Sequence, residues 1–282
     1  MENKKKGNIF IALFIIVLIL LIAETVFLVI SLNKKENNVE NTDTEVIEQI
    51  DETEKEDPII ELSVEDEIVK TLYDYIPQYG VNLIIKNAYQ SKKTTVDDID
   101  NEVLLSFVFR RVENTISEDE VEIVEGNTFK GSWYKFSSSI IQNEAIKVFG
   151  KELPNQTFKV GAGSTCKYED DGRYFYTYGG GSGSGSNGYR KMIKAYKQGD
   201  YLYIEDKYIY YVGIGGVVGM PDAGYYLYDT SDKANLIAKA DTLEELGENI
   251  IEKYYDQMKT YKHTFAKAED GSYYWVSTEP IE

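Results

Sequence analysis

Residues Ile9 to Leu32 read IFIALFIIVLILLIAETVFLVISL and carry one charge, Glu24. At about 1.5 Å per residue, a helix of this length crosses a hydrocarbon core of roughly 30 Å. The sequence after it is polar, acidic and mixed in period. The expected organisation is a short cytoplasmic tail (1–8), a transmembrane anchor (9–32), an acidic disordered stalk (33–62) and an extracytoplasmic domain (63–282).

Lys4 to Lys6 outnumber Lys34 and Lys35, so the positive-inside bias places the N-terminus in the cytoplasm and the domain outside. A cleaved signal peptide fits less well, because Leu21 stands where a cut after Ala23 needs a small residue. A lipoprotein is excluded by the lack of a cysteine after the apolar run. Lys6-Gly7 ahead of an apolar helix resembles the processing site of type IV pilins. Ala12 stands where those pilins carry a glutamate. Glu24 has two readings: a contact with another membrane helix, or a carboxylate near the outer headgroups of a span shifted towards the N-terminus.

The chain of 282 residues has a net charge of −18. Beyond residue 35 there are 25 basic against 46 acidic groups. Such a surface repels phosphate backbones, so nucleic acid is not an expected partner. The single cysteine, Cys166, excludes an internal disulfide. About 220 folded residues bury enough surface without one. Frequent Ile, Lys, Asn and Tyr with few Cys and His resemble the surface proteins of low-GC Gram-positive bacteria.

From Glu36 to Glu61 there are eleven acidic residues and one lysine. Such a segment buries too little apolar surface to order itself, and its like charges extend it. Order is expected from Ser63. Val64, Ile68, Leu72, Tyr75 and Ile76 form a helical stripe that Pro77 ends. A short helical piece is expected within Val81–Tyr89. A second helix starts near Thr95, and a third runs from Ser139 to Phe149 with Gly150 beyond it.

The period then changes. Arg173–Tyr178, Tyr189–Tyr196, Tyr201–Tyr211, Tyr225–Asp229 and Asn235–Ala240 read as strands, with a hairpin at Gln198-Gly199-Asp200. A fourth helix starts at Thr242 and carries apolar residues to Met258. A hairpin, Tyr261–Lys267 and Ser272–Ser277, closes the chain. Helices first and strands later imply an α+β fold: helices, a Tyr-rich antiparallel sheet covered on one face, a C-terminal helix and a terminal β-hairpin.

No motif announces chemistry. Gly179 to Gly188 lacks the lysine and helix of a phosphate loop and reads as a loose hairpin connection. Gly213 to Gly219 has Val218 in the third glycine's place of a dinucleotide fingerprint. His263, the only histidine, reads as a surface or half-buried residue, and Cys166 as a small buried apolar one. One His and one Cys exclude a zinc site of the usual composition within the chain. No cofactor, metal ligand or catalytic residue is assigned.

The 24 tyrosines are the remaining signal. Tyr174, Tyr176 and Tyr178 share one strand face, and Tyr201 and Tyr203 share another. Such rings stack on sugars or clamp a peptide, or else fill a half-buried sheet. The expected function is a single-pass, membrane-tethered binding domain at the bacterial cell surface, with a peptide, glycan or surface protein as ligand. Two alternatives stand beside it: a cell-wall-directed hydrolase using unidentified carboxylates, and an assembly component recruited through its membrane helix.

Overall fold

The computed structural model describes residues 57–78, 87–124, 133–161, 163–179, 186–214 and 223–281. The tail, the anchor with Glu24, and the stalk up to residue 56 lie outside the described residues. Among the described residues no helix is long and apolar enough to cross a membrane. The membrane terms of the sequence reading therefore gain no support from this structure.

The α+β expectation is corrected. Strands take up 42% and helices 25% of the described residues, so the architecture is mostly antiparallel sheet with few helices. The chain enters a sheet at its first described element, β1 (Ile60–Leu62), three residues before the expected start of order. The first helix, α1, is short (Glu67–Tyr73). Strand β2 (Thr94–Thr95) and a 3-10 turn at Val96–Asp98 precede α2 (Asn101–Val112). Strands β3 (Val121–Ile123) and β4 (Trp133–Ser137) lead into α3 (Ser138–Phe149). Strands β5 (Phe158–Gly161), β6 (Ser164–Tyr168) and β7 (Arg173–Thr177) follow. The longest strands are β8 (Ser186–Gln198) and β9 (Tyr201–Ile214). Next come β10 (Gly224–Tyr228), β11 (Leu236–Ala240), and the single-turn helices α4 (Leu243–Leu246) and α5 (Ile250–Lys253). The hairpin β12 (Lys259–Lys267) and β13 (Tyr273–Ile281) ends the fold.

Two expected helices shrink for local reasons. Thr242 caps its helix through Glu245 N–H, but Gly247 (φ 100°) turns the chain after one turn. At Thr95 the capping box with Asp98 closes only the 3-10 turn, and α2 begins after Asp100. Residues 81–86 of the expected piece at Val81–Tyr89 lie outside the described residues.

The strands form two sheets. The larger runs β1-β8-β9-β12-β13-β2, with β10 and β11 continuing from β9. Strand β9 pairs with β12 through Tyr201–Tyr208 and then with β10 through Tyr210–Ile214. The smaller sheet is β3-β4-β7-β6-β5. Because β7 and β8 lie in different sheets, the Gly-Ser segment joins two sheets. It is not the hairpin connection that its composition suggested.

Alternation decides the faces. On β9, Leu202, Ile204, Tyr208, Tyr210 and Val212 point into the main core. That core also takes Val103, Leu104, Phe107 and Val108 of α2, Ile141, Ala145 and Phe149 of α3, and the inner side chains of the smaller sheet. Ile209 lies on the opposite face, in a second small core with Leu227, Leu246, Ile250 and Met258. Residues 243–258 thus cover one end of the outer face of the larger sheet. Among the described residues, the end carrying Tyr201 and Tyr203 stays open.

Candidate functional site

The main core contains a polar centre. Asp206 (β9) and His263 (β12) are both 0% exposed. Asp206 Oδ2 accepts hydrogen bonds from the Tyr73 hydroxyl at 2.7 Å and the Tyr89 hydroxyl at 2.8 Å. Burial pushes both phenols well above their ordinary range, so they stay protonated and donate. His263 Nε2 stands 3.0 Å from Asp206 Oδ1, close but without an aligned hydrogen bond. His263 Nδ1 lies 2.7 Å from Thr278 Oγ1, which also accepts Trp275 Nε1–H at 3.1 Å.

Aromatic rings pack around this group. Tyr208 stacks on Tyr89 with centroids 3.8 Å apart, and Tyr261 meets both edge-on. The Arg190 guanidinium lies 3.8 Å from the Tyr73 ring centroid and donates to the Tyr73 carbonyl. Gly188, on the neighbouring strand, leaves room for Tyr208. A Cβ there would meet the ring at 2.5 Å. The Asp-His-Thr arrangement has the residue types of a catalytic relay. Its Asp, His and Thr have no exposed surface, so no substrate reaches it in this structure. The expectation of a surface or half-buried His263 is corrected. The strand alternation that buries Tyr261 and Phe265 also carries His263 inward.

The expected stacking tyrosines separate into two groups. Tyr174 and Tyr176 face the core of the smaller sheet. Tyr174 packs on Phe136 and Phe158, and Tyr176 on Phe109. Burial raises both phenols to about 12. Tyr178 is 51% exposed, but it lies past the end of β7. These three do not form one stacking face.

Tyr201 and Tyr203 do lie on an open surface, the uncovered end of the larger sheet. Their ring centroids are 6.3 Å apart. Tyr196, which the sequence reading missed, pairs with Tyr203 across β8–β9 and stacks on it at 5.0 Å, with 24° between the planes. The hairpin held the signal: a two-residue turn at Gly199-Asp200 sets Tyr196 opposite Tyr203.

Charged groups border these rings. Lys194 Nζ stands 4.9 Å from the Tyr196 ring, and Lys262 Nζ 5.8 Å from that of Tyr203. Lys262 also pairs with Glu279 at 2.7 Å, which raises the ammonium and lowers the carboxyl relative to their ordinary values. Burial, helped by the nearby Glu205 charge, raises the Tyr196 phenol. Lys194 and Glu205 are register partners, as are Lys262 and Glu205. The patch therefore carries balanced charge in a strongly acidic chain.

Among the described residues, no group of three or more His, Cys, Asp or Glu is placed to hold a metal ion. Cys166 is buried, and desolvation raises its thiol well above the ordinary range. No protein-family model matches this chain, and neither a search of curated proteins nor one of solved structures found a similar protein.

Proposed function

We propose that this domain binds a neutral glycan chain on the open face of the larger sheet. The observation that carries the reading is the stacked pair Tyr196–Tyr203, extended by Tyr201 and bordered by Lys194, Glu205 and Lys262. The apolar C–H face of a pyranose ring complements the electron-rich face of a tyrosine. Ammonium and carboxylate groups beside the rings supply donors and acceptors for sugar hydroxyls. Balanced charge favours a neutral ligand over an anionic one. An open sheet face suits an extended polymer better than a small molecule, which takes a concave site.

Hydrolysis has less support, because the buried pair Asp206 and His263 is closed from solvent. The test is calorimetric titration of the full-length chain with the neutral hexasaccharide of β-1,4-linked N-acetylglucosamine. Saturable binding, abolished by Tyr203→Ala and weakened by Tyr196→Ala, is expected. Absence of binding, or binding unaffected by both changes, would overturn the reading. Release of shorter sugars would favour the hydrolase.

A further inference from the structure

We infer that His263 is a positioning residue for this platform: one buried imidazole, in contact with β9 and β13, holds β9, β12 and β13 in the register that aligns the outer face. The inference rests on the glycan-binding reading.

The platform consists of cross-strand partners. Tyr196 faces Tyr203, Glu205 faces Lys262, and Lys262 faces Glu279. A slip of one residue in β9 or β12 would turn these side chains to the other face. The danger is local, because the β12–β13 ladder shifts register between Thr264 and Phe265, next to His263. Lys262 and His263 are consecutive, so one faces the platform and the other the core.

On the inner face His263 touches both neighbouring strands. Its register partner on β13 is Thr278, whose Oγ1 meets Nδ1. Its Nε2 faces Asp206 on β9. The opposite register would bring Asp206 and His263 to the outer face and break both contacts. Nε2 stands 3.0 Å from Oδ1. The Thr278 Oγ1 that meets Nδ1 also accepts from Trp275 Nε1–H. Tyr73 and Tyr89 hold the carboxylate from its other oxygen. A buried polar group that sets register is the best-attested use of such a costly arrangement.

The test uses Thr278→Val, which keeps side-chain shape but removes the hydroxyl, and Thr278→Ser, which restores it. Both are made in the full-length chain, with folding checked by circular dichroism. Hexasaccharide affinity should fall about tenfold in the valine variant and recover in the serine variant. Nitrogen NMR of the single histidine should show ring resonances that shift in the valine variant and return in the serine variant. Wild-type binding that depends on Tyr203 but is unchanged by Thr278→Val would overturn this inference and leave the platform reading intact. Ring resonances unchanged by Thr278→Val would overturn it as well. Absence of wild-type binding would remove the platform reading itself, while the ring resonances would still report the His263–Thr278 contact.

Discussion

Replacing Tyr89 with phenylalanine isolates one hydrogen bond in the buried centre. The ring keeps its 3.8 Å stack on Tyr208 and its edge contact with Tyr261. Only the hydroxyl that donates to Asp206 Oδ2 at 2.8 Å is lost. Removing a buried donor leaves its acceptor short of a partner, which costs roughly 1–3 kcal/mol, and here no solvent replaces it. For a domain of this size that corresponds to a fall in Tm of about 2–12 °C. Urea denaturation should show a lower midpoint at unchanged m, because the surface exposed on unfolding stays the same. Tyr73→Phe removes the companion bond at 2.7 Å and should cost about as much. The double variant should depart from additivity by about 0.5 kcal/mol or more, because both phenols serve one oxygen. Tyr178→Phe, at a site 51% exposed, is the control and should change stability by less than about 0.5 kcal/mol. If Tyr89→Phe falls within that same margin, the Tyr89 hydroxyl does not donate to Asp206 and the account of the centre is wrong.

Gly188→Ala should destabilise by about 1–3 kcal/mol, because the added methyl meets the Tyr208 ring, which is stacked and cannot withdraw; equal Tm values would show that the ring has room. Cys166 should resist thiol reagents in the native state and react in urea, since burial leaves it undissociated and unreachable; rapid native labelling would contradict its place in the core. The Lys262–Glu279 pair holds the Glu279 carboxyl below its ordinary range, so its contribution is present at neutral pH. It is lost as the pH falls through the folded-state value, below the ordinary carboxylate range. Both side chains are over a quarter exposed, so the effect is at most about 1 kcal/mol. Lys262→Met should flatten the acid limb of the stability curve by that amount, and an unchanged limb would remove the pair from the account.

Local signals were legible where a short stretch of chain determines the outcome. The helical stripe ending before Gly150 became α3. The alternating tyrosines became β9, and Gly199-Asp200 became its hairpin turn. The fold class was misread because β3 to β6 are short, and the pairing of β4 with β7 that joins them into one sheet is distant in sequence. Trp133–Ser137 becomes a strand because it pairs with Arg173–Thr177, a contact that no local periodicity records.

The candidate platform shows the same division. Sequence alternation places Tyr201 and Tyr203 on one face of β9, and Tyr174 and Tyr176 on one face of β7, in identical terms. Only the tertiary structure decides which face meets solvent. α2, α3 and the larger sheet close over the inner face of β7, whereas residues 243–258 stop short of the hairpin end of β9. His263 is the plainest case. Its strand was legible, but its role depends on Asp206 and Thr278 arriving from two other strands. A chain read along its length specifies alternation, and only packing chooses which side is inside.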